Sequence, residues 1–320
     1  PDFGLAAYTA DGKPRWTLPL GPFKNFYGMA ASPIVAGDQL ILACDQNSGS
    51  FLLSIDRKTG RQRWRTERKG APIGWATPMV FRPADGPAQI IVLGSTRLDS
   101  YYLETGEARW WMPLASTGGI CIPVAAGNSL LVATLATSEP WMPPFDSQLQ
   151  LYDKDKDGRL SLAEFKDDKD LGEHFGWLDA NSDNFVTLAE WNYARQMGEG
   201  EFGAFALQPG KLEGKIEPGA ARWRFKKNLP YIPSPLLYQD VYYMVRTGGV
   251  VTALNANTGE LLKQGRTQEA LGDYFASPVA ADNKVFLASE EGKITVLKAG
   301  ANWEVLGVND LGEEVHSTPA

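Results

Sequence analysis

The feature that most constrains the fold is a unit that recurs along almost the whole chain. In its fullest copy, Leu52-Leu53-Ser54-Ile55 is a short apolar strand, Asp56-Arg57-Lys58-Thr59-Gly60 a polar turn, and Arg61-Gln62-Arg63-Trp64 a second strand. Glycine takes positive φ without steric cost, so the unit reads as a β-hairpin. Reduced copies are Asp11-Gly12 with Trp16, Thr105-Gly106 with Trp110, and Asn255 to Gly259, where Lys263 takes the place of the tryptophan. A second marker precedes each hairpin: Ser32-Pro33, Thr77-Pro78, Ile122-Pro123, Ser234-Pro235, Ser277-Pro278 and Thr318-Pro319. Successive prolines of this set stand 45, 45, 112, 43 and 41 residues apart. The regular spacing marks a repeat architecture, and the one long interval marks an insertion within a repeat.

Each regular interval offers four short strands separated by turns rich in Gly, Asp and Asn; in the first complete one they fall at 31–35, 39–44, 50–55 and 61–66. Four antiparallel strands per repeat of roughly 40 to 50 residues predict an all-β fold, a β-propeller of four-stranded blades. The chain begins with the last two strands of one blade and stops at the start of another, so a ring incomplete at both ends is expected. The predicted organisation is propeller blades over 1–137, an inserted module over 138–202, and further blades over 203–320.

The Asp/Asn, Thr-Gly and Trp markers resemble the tryptophan-docking repeat of the pyrroloquinoline-quinone (PQQ)-like β-propeller family, the superfamily of quinoprotein alcohol dehydrogenases and of BamB. The resemblance spans the chain outside the insertion. It implies eight blades in a full ring, a periplasmic or extracellular address, and Trp16, Trp64 and Trp110 stacked against neighbouring blades. PQQ enters as a cofactor through the same resemblance, but is disfavoured: the adjacent Cys-Cys pair that the family's enzymes place over the quinone has no counterpart, since Cys44 and Cys121 are isolated.

The insertion carries the sharpest chemistry. Residues 153–164 place oxygen donors at positions 1, 3, 5, 7, 9 and 12 of a twelve-residue loop, namely Asp153, Asp155, Asp157, the Arg159 carbonyl, Ser161 and Glu164, with Gly158 at position 6. That is the spacing of an EF-hand calcium loop, because a hard cation of this size takes six to eight oxygens and a bidentate carboxylate at position 12. Residues 179–190 repeat it with Asp179, Asn181, Asp183, the Phe185 carbonyl, Thr187 and Glu190. Here Asn184 replaces the glycine, and Asn tolerates the left-handed conformation better than most residues. Three carboxylates against four predict that the second loop binds calcium more weakly. Leu160 and Val186 are placed to pair the two loops, with Phe165, Trp177 and Trp191 as core between short helices.

Composition narrows the function further. A formal net charge of −7 leaves no broad basic surface for phosphates, so nucleic acid is not an expected partner. No apolar run approaches the roughly 20 residues that span a bilayer. No signal sequence is recognisable, and a processed or truncated chain is expected. The two histidines, His174 and His316, have no nucleophile at recognisable spacing, and read as surface or packing residues. Segments entering the blades bring Tyr27, Trp75, Tyr231, Tyr274 and His316 toward one face, a candidate ligand surface. The insertion joins the second and third strands of its blade, which puts it on that same face, beside the channel mouth. The sequence thus predicts a calcium-binding, non-catalytic propeller that acts as a binding or scaffold protein for a protein or peptide partner. The alternatives are a PQQ-dependent dehydrogenase that uses the channel and, third, a regulatory sensor whose partner binding depends on calcium.

Overall fold

In a computed structural model, which describes residues 4–25, 27–116, 118–136 and 142–319, the repeats form a β-propeller. The expected boundary between 137 and 138 lies outside the described residues. A hairpin of Gly4–Tyr8 and Pro14–Pro19 is followed by five blade sheets, with one further two-stranded sheet in the insertion. Blade I is Ile34–Ala36, Gln39–Cys44, Phe51–Asp56 and Gln62–Glu67. Blade II is Met79–Phe81, Gln89–Leu93, Arg97–Tyr102 and Ala108–Pro113, with Gly214–Lys215 added in parallel to its outer strand. Blade III is Val124–Ala126, Ser129–Thr134, Gly203–Leu207 and Arg224–Phe225. Blade IV is Leu236–Tyr238, Val241–Arg246, Val250–Asn255 and Leu261–Arg266, and blade V is Val279–Ala281, Lys284–Ala288, Lys293–Lys298 and Glu304–Asp310.

The burial of each strand follows from its place in the blade. Middle strands such as Phe51–Asp56 are buried on both faces, whereas the outer Gln62–Glu67 alternates between exposed and half-buried residues. The apolar cores accordingly lie between blades: Ile41, Ala43 and Leu52 of blade I pack on Ile90, Val92 and Tyr101 of blade II. Blades IV and V meet in the same way through Tyr243, Val251, Val285 and Leu297.

The turn motif has a direct chemical explanation. The Asp56 Oδ1 accepts hydrogen bonds from Lys58 N–H, Thr59 N–H and the Thr59 hydroxyl at 2.9 to 3.0 Å, and Arg63 and Thr59 hold this carboxylate below its ordinary range. Asn255 does the same for Asn257 and Thr258. Gly60, at φ 72°, completes the turn, and a Cβ there would come within 2.7 to 2.9 Å of the Trp16 ring. The same glycine-on-indole contact joins Trp64 to Gly106 and Trp223 to Gly259, so a tryptophan of one blade covers the turn of the next.

A bulge aims the tryptophan. Ser54 pairs with Trp64 but Ile55 with Gln62, which leaves Arg63 as the extra residue; Arg15, Arg109, Leu262 and Leu306 hold the equivalent position elsewhere. A bulge of this kind sharpens the local twist and redirects the following side chain. Trp110 departs from the expected docking because blade III replaces the turn by the segment 208–223. It is buried between blades II and III, with its indole N–H donating to Gln89 Oε1 at 2.9 Å. Lys263 lays its ammonium over Trp303 and donates to the Trp303 carbonyl at 2.6 Å.

The Pro-marked positions form a second inter-blade device. The N–H of Ser32 donates to the Thr77 hydroxyl, that of Ile122 to Ser234, that of Ser234 to Ser277 and that of Ser277 to Thr318, all at 2.9 to 3.0 Å. Between blades II and III the marker is Ile122, which has no hydroxyl, and the Trp75 and Ala76 N–H groups bond the Gly119 carbonyl instead. A net hydrogen bond contributes about 0.5–1.5 kcal/mol. Ser234→Ala, which removes one acceptor, is therefore expected to lower stability by about 1 kcal/mol in thermal or denaturant unfolding. Ser32→Ala, which removes none of these acceptors, is expected to be close to neutral.

Candidate metal centre and its seat on the propeller

Between the paired ends of Thr134 and Gly203 the chain leaves the sheet and folds three helices: α1 (Phe145–Tyr152), α2 (Lys169–Leu178) and α3 (Leu188–Gln196). Their starts are encoded locally. The Asp168 side chain accepts from Leu171 N–H to cap α2, and Thr187 with Glu190 forms a reciprocal capping box on α3. Phe145, Phe165, Phe175 and Trp191 make the small core of the module, with Trp177 half-buried against it, and the Trp191 indole donates to the Pro143 carbonyl at 2.8 Å. Leu160 pairs with Val186 in a short antiparallel ladder, both fully buried, which sets the two acidic loops side by side.

In the first loop, oxygens of Asp153, Asp155 and Glu164 lie within 4.8 Å of one another. Gly158, at φ 79°, allows the sharp turn. The Gly158 N–H donates to Asp153, and the Asp157 N–H is shared by Asp153 and Asp155. Asp157 itself pairs with the Arg159 guanidinium at 2.7 Å, while Ser161 donates both N–H and hydroxyl to Glu164. Burial alone would raise the Glu164 pKa, but the Ser161 and Lys154 N–H groups hold it below the ordinary carboxylate range. Only oxygen donors converge here, the set that a hard divalent cation requires.

The second loop repeats this bonding. Asp179 accepts from Asp183 and Asn184 N–H, Glu190 from Asn181 and Thr187, and Asn184 adopts φ 72° in place of glycine. Its Asn181 amide donates to Asp183, and among the described residues only the first loop gathers three carboxylates within that distance. Phe185, at position 7, lies under the Arg159 guanidinium at 3.7 Å, a contact between the loops.

The two loops differ most in their surroundings. Loop two leans on blade I: the Lys24 ammonium donates to the Asn181 carbonyl at 3.0 Å. A cleft of about 420 Å³ lies between them, lined by Asn47, Ser48, Glu67 and Lys69 on the propeller and by Thr187, Glu190 and Tyr193 on the module. Burial pushes the Tyr193 phenol well up, and the Asp45 charge adds to it. Asp45 belongs to a buried ionic cluster between blades I and II. Arg68 grips both its oxygens, at 2.6 and 3.0 Å, and donates to the Tyr101 hydroxyl at 2.9 Å; Asp99 Oδ2 lies 3.2 Å from Arg68, and Asp99 Oδ1 accepts from Arg97. Burial pushes the Asp45 carboxyl up and opposes the Arg68 cation, but two carboxylates on one guanidinium keep Arg68 charged.

The aromatic face is only partly assembled as expected. Tyr27, 76% exposed, packs at a tilt against half-buried Trp75 with ring centroids 5.7 Å apart, and Tyr231 is exposed at the entry to blade IV. Exposed His316 packs against Phe275 with centroids 5.5 Å apart. Tyr274 corrects the expectation: it is 2% exposed, and its hydroxyl donates to the Ala270 carbonyl within the core between blades IV and V. Cys44 and Cys121 are free and buried, which raises both thiols to about 12.

Lys24, Arg68 and Tyr193 carry no signal in the sequence, because their roles depend on where the insertion leans. Trp223 was legible in principle from the Asn255–Gly259 turn it covers, though its own blade lacks the motif.

Comparison with known proteins agrees with this architecture. The family described as outer membrane protein assembly factor BamB matches residues 4–160 and 212–312. BamB from Moraxella catarrhalis superposes with a TM-score of 0.58 at 14% identity, over 99% of this chain and 73% of that one. The RRP9 WD40 repeats superpose at 0.51 and 9% identity, over 99% and 77%. At these identities the likeness concerns the fold alone. No curated protein matches the sequence. No described helix is long and apolar enough to cross a membrane.

Proposed function

The chain belongs to the family described as outer membrane protein assembly factor BamB, and on that premise we propose that it is a calcium-binding, non-catalytic propeller that serves as an extracytoplasmic scaffold for a protein or peptide partner. The observation that carries the calcium reading is the pair of twelve-residue loops joined through Leu160 and Val186, each with its position-1 Asp held by an N–H of its own loop, and the first with three carboxylates gathered within 4.8 Å. Asp153, Asp155, Asp157, Ser161, Glu164 and the Arg159 carbonyl would hold one ion; Asp179, Asn181, Asp183, Thr187, Glu190 and the Phe185 carbonyl would hold the other. Bound calcium supplies the positive charge that offsets carboxylates which otherwise repel one another. The residues supply the order: the N–H groups already bonded to Asp153, Glu164, Asp179 and Glu190 orient these side chains before any ion arrives.

Family membership and the surface pair of exposed Tyr27 on half-buried Trp75 support the scaffold reading, and the isolated, buried thiols support the absence of quinone chemistry. Calorimetric titration of the metal-free chain is expected to resolve two calcium sites, the first loop tighter because it carries four carboxylates. Glu164→Gln should remove one site and Glu190→Gln the other, since each deletes the only carboxylate placed to bind through both oxygens. Magnesium, smaller and demanding octahedral geometry, should compete poorly. Absence of binding heat, or two intact sites in the doubly substituted chain, would refute the calcium reading. Dye-linked alcohol oxidation after addition of PQQ and calcium would refute the non-catalytic one.

A further inference from the structure

Among the described residues, it is the second loop that bonds to the propeller, through Lys24 and Asn181. The contact is built from one short segment. The Lys24 side chain holds the Asn181 carbonyl, while the Lys24 backbone is pinned to blade I on both sides: its N–H donates to Gln46 Oε1 at 3.1 Å, and its carbonyl accepts from the Asn47 N–H at 2.6 Å. The next residue, Asn25, uses its amide nitrogen on the Asp45 carbonyl at 3.1 Å and its amide oxygen on the Trp75 indole N–H at 3.1 Å. Its oxygen also accepts from the Tyr27 N–H at 3.2 Å, and the Tyr27 ring lies on Trp75. A continuous series of bonded groups therefore runs from position 3 of the second loop to the exposed aromatic pair.

We infer that the second loop is a calcium-operated control over the Lys24–Tyr27 segment and the Tyr27–Trp75 pair, and that the first loop is not. This rests on the calcium reading above. Asn181 contributes its side chain to the ion and its backbone carbonyl to Lys24, so an ion that fixes residue 181 fixes the anchor of Lys24 as well. The opposite wall of the 420 Å³ cleft, at Asn47 and Ser48, moves with the same segment, because the Asn47 N–H is bonded to the Lys24 carbonyl. Linkage is reciprocal: whatever settles on the aromatic pair and stiffens this segment also tightens calcium at the second loop. The first loop has no direct bond to this segment among the described residues: Lys154 pairs with Asp167, and Arg159 and Leu160 meet Phe185 and Val186 of loop two, all inside the module.

Hydrogen exchange of the whole chain, with calcium and with chelator, tests this alongside calorimetry. Calcium is expected to slow exchange at 24–29, 45–50 and 75–76 by roughly 5-fold or more, the lower end of ordinary coupling between sites. That slowing should persist in Glu164→Gln and vanish in Glu190→Gln. Lys24→Met should keep two calcium sites in calorimetry yet lose the slowing at 75–76. Binding heat at the second loop with unresponsive blade segments would overturn this inference alone. A response that follows Glu164, or one that survives in Lys24→Met, would overturn it too. Absence of any calcium heat would overturn it together with the calcium reading.

Discussion

Arg68→Met is expected to be the most damaging single change in the propeller, at a cost of about 3–5 kcal/mol, the usual penalty for stranding a buried charge by removing its partner. Methionine fills much of the volume but offers no donors. Asp45 is then left at 4% side-chain exposure without its counter-ion, Asp99 keeps only Arg97, and the Tyr101 hydroxyl loses the Arg68 donor. Chemical denaturation should show the loss, and Arg68→Lys should recover little because a point charge cannot bridge Asp45 through two parallel bonds. The double change Arg68→Met with Asp45→Asn should be far less harmful than Arg68→Met alone, since it removes the uncompensated charge along with the cation and leaves the Arg97–Asp99 pair intact. If the double and single variants unfold at the same denaturant concentration, the cluster acts by packing and not by charge.

The second large effect is expected at Gly106→Ala. At φ 73° a non-glycine residue costs about 1–2 kcal/mol from backbone strain alone. The added methyl would also overlap the Trp64 ring. Displacing that indole from a packed junction adds about 1–3 kcal/mol, so the sum is about 2–5 kcal/mol and should appear as a drop of several degrees in the melting temperature. Gly312→Ala makes the comparison: φ is 71°, but nothing lies within 4 Å of the new Cβ, so only the backbone share should be lost. Equal losses at the two positions would mean that Trp64 yields freely and that docking does not hold blades I and II together.

How much of this was legible beforehand divides along a physical line. Features fixed by a few neighbouring residues were readable. The Asp56–Gly60 turn, the Pro-marked blade starts and the alternation of donors in 153–164 and 179–190 all follow from local bonding rules. The outer strand of blade I, read at 61–66, runs Gln62–Glu67, and no local pattern announces the bulge it carries at Arg63. The fourth strand of blade III is only Arg224–Phe225, shorter than the alternating Ala221-Arg222-Trp223-Arg224-Phe225 suggests, and the chain before it pairs Gly214–Lys215 with blade II. Tyr274 and Tyr27 look alike in sequence, each in the segment that leads into a Pro-marked strand. Tyr274 is buried because Thr267 and Ala270 curl back over it, a matter of loop path. The seat of the second calcium loop lies further still from the sequence: Lys24 and Asn181 are 157 residues apart, and only the tilt of the whole module brings them together.

The direct pairing of Thr134 with Gly203 has a bearing on the history of such chains. The two strands that flank the helical module sit in the register an ordinary tight hairpin would give them, so the sheet itself retains no mark of what hangs from it. A module added at this point needs only ends that lie one strand spacing apart, about 4.8 Å. Every blade offers the same junction on the same side of the ring. Lineages of this architecture can therefore gain, lose or exchange whole modules at these turns without relearning how to fold, and the surface around the channel can diversify while the ring beneath it stays the same.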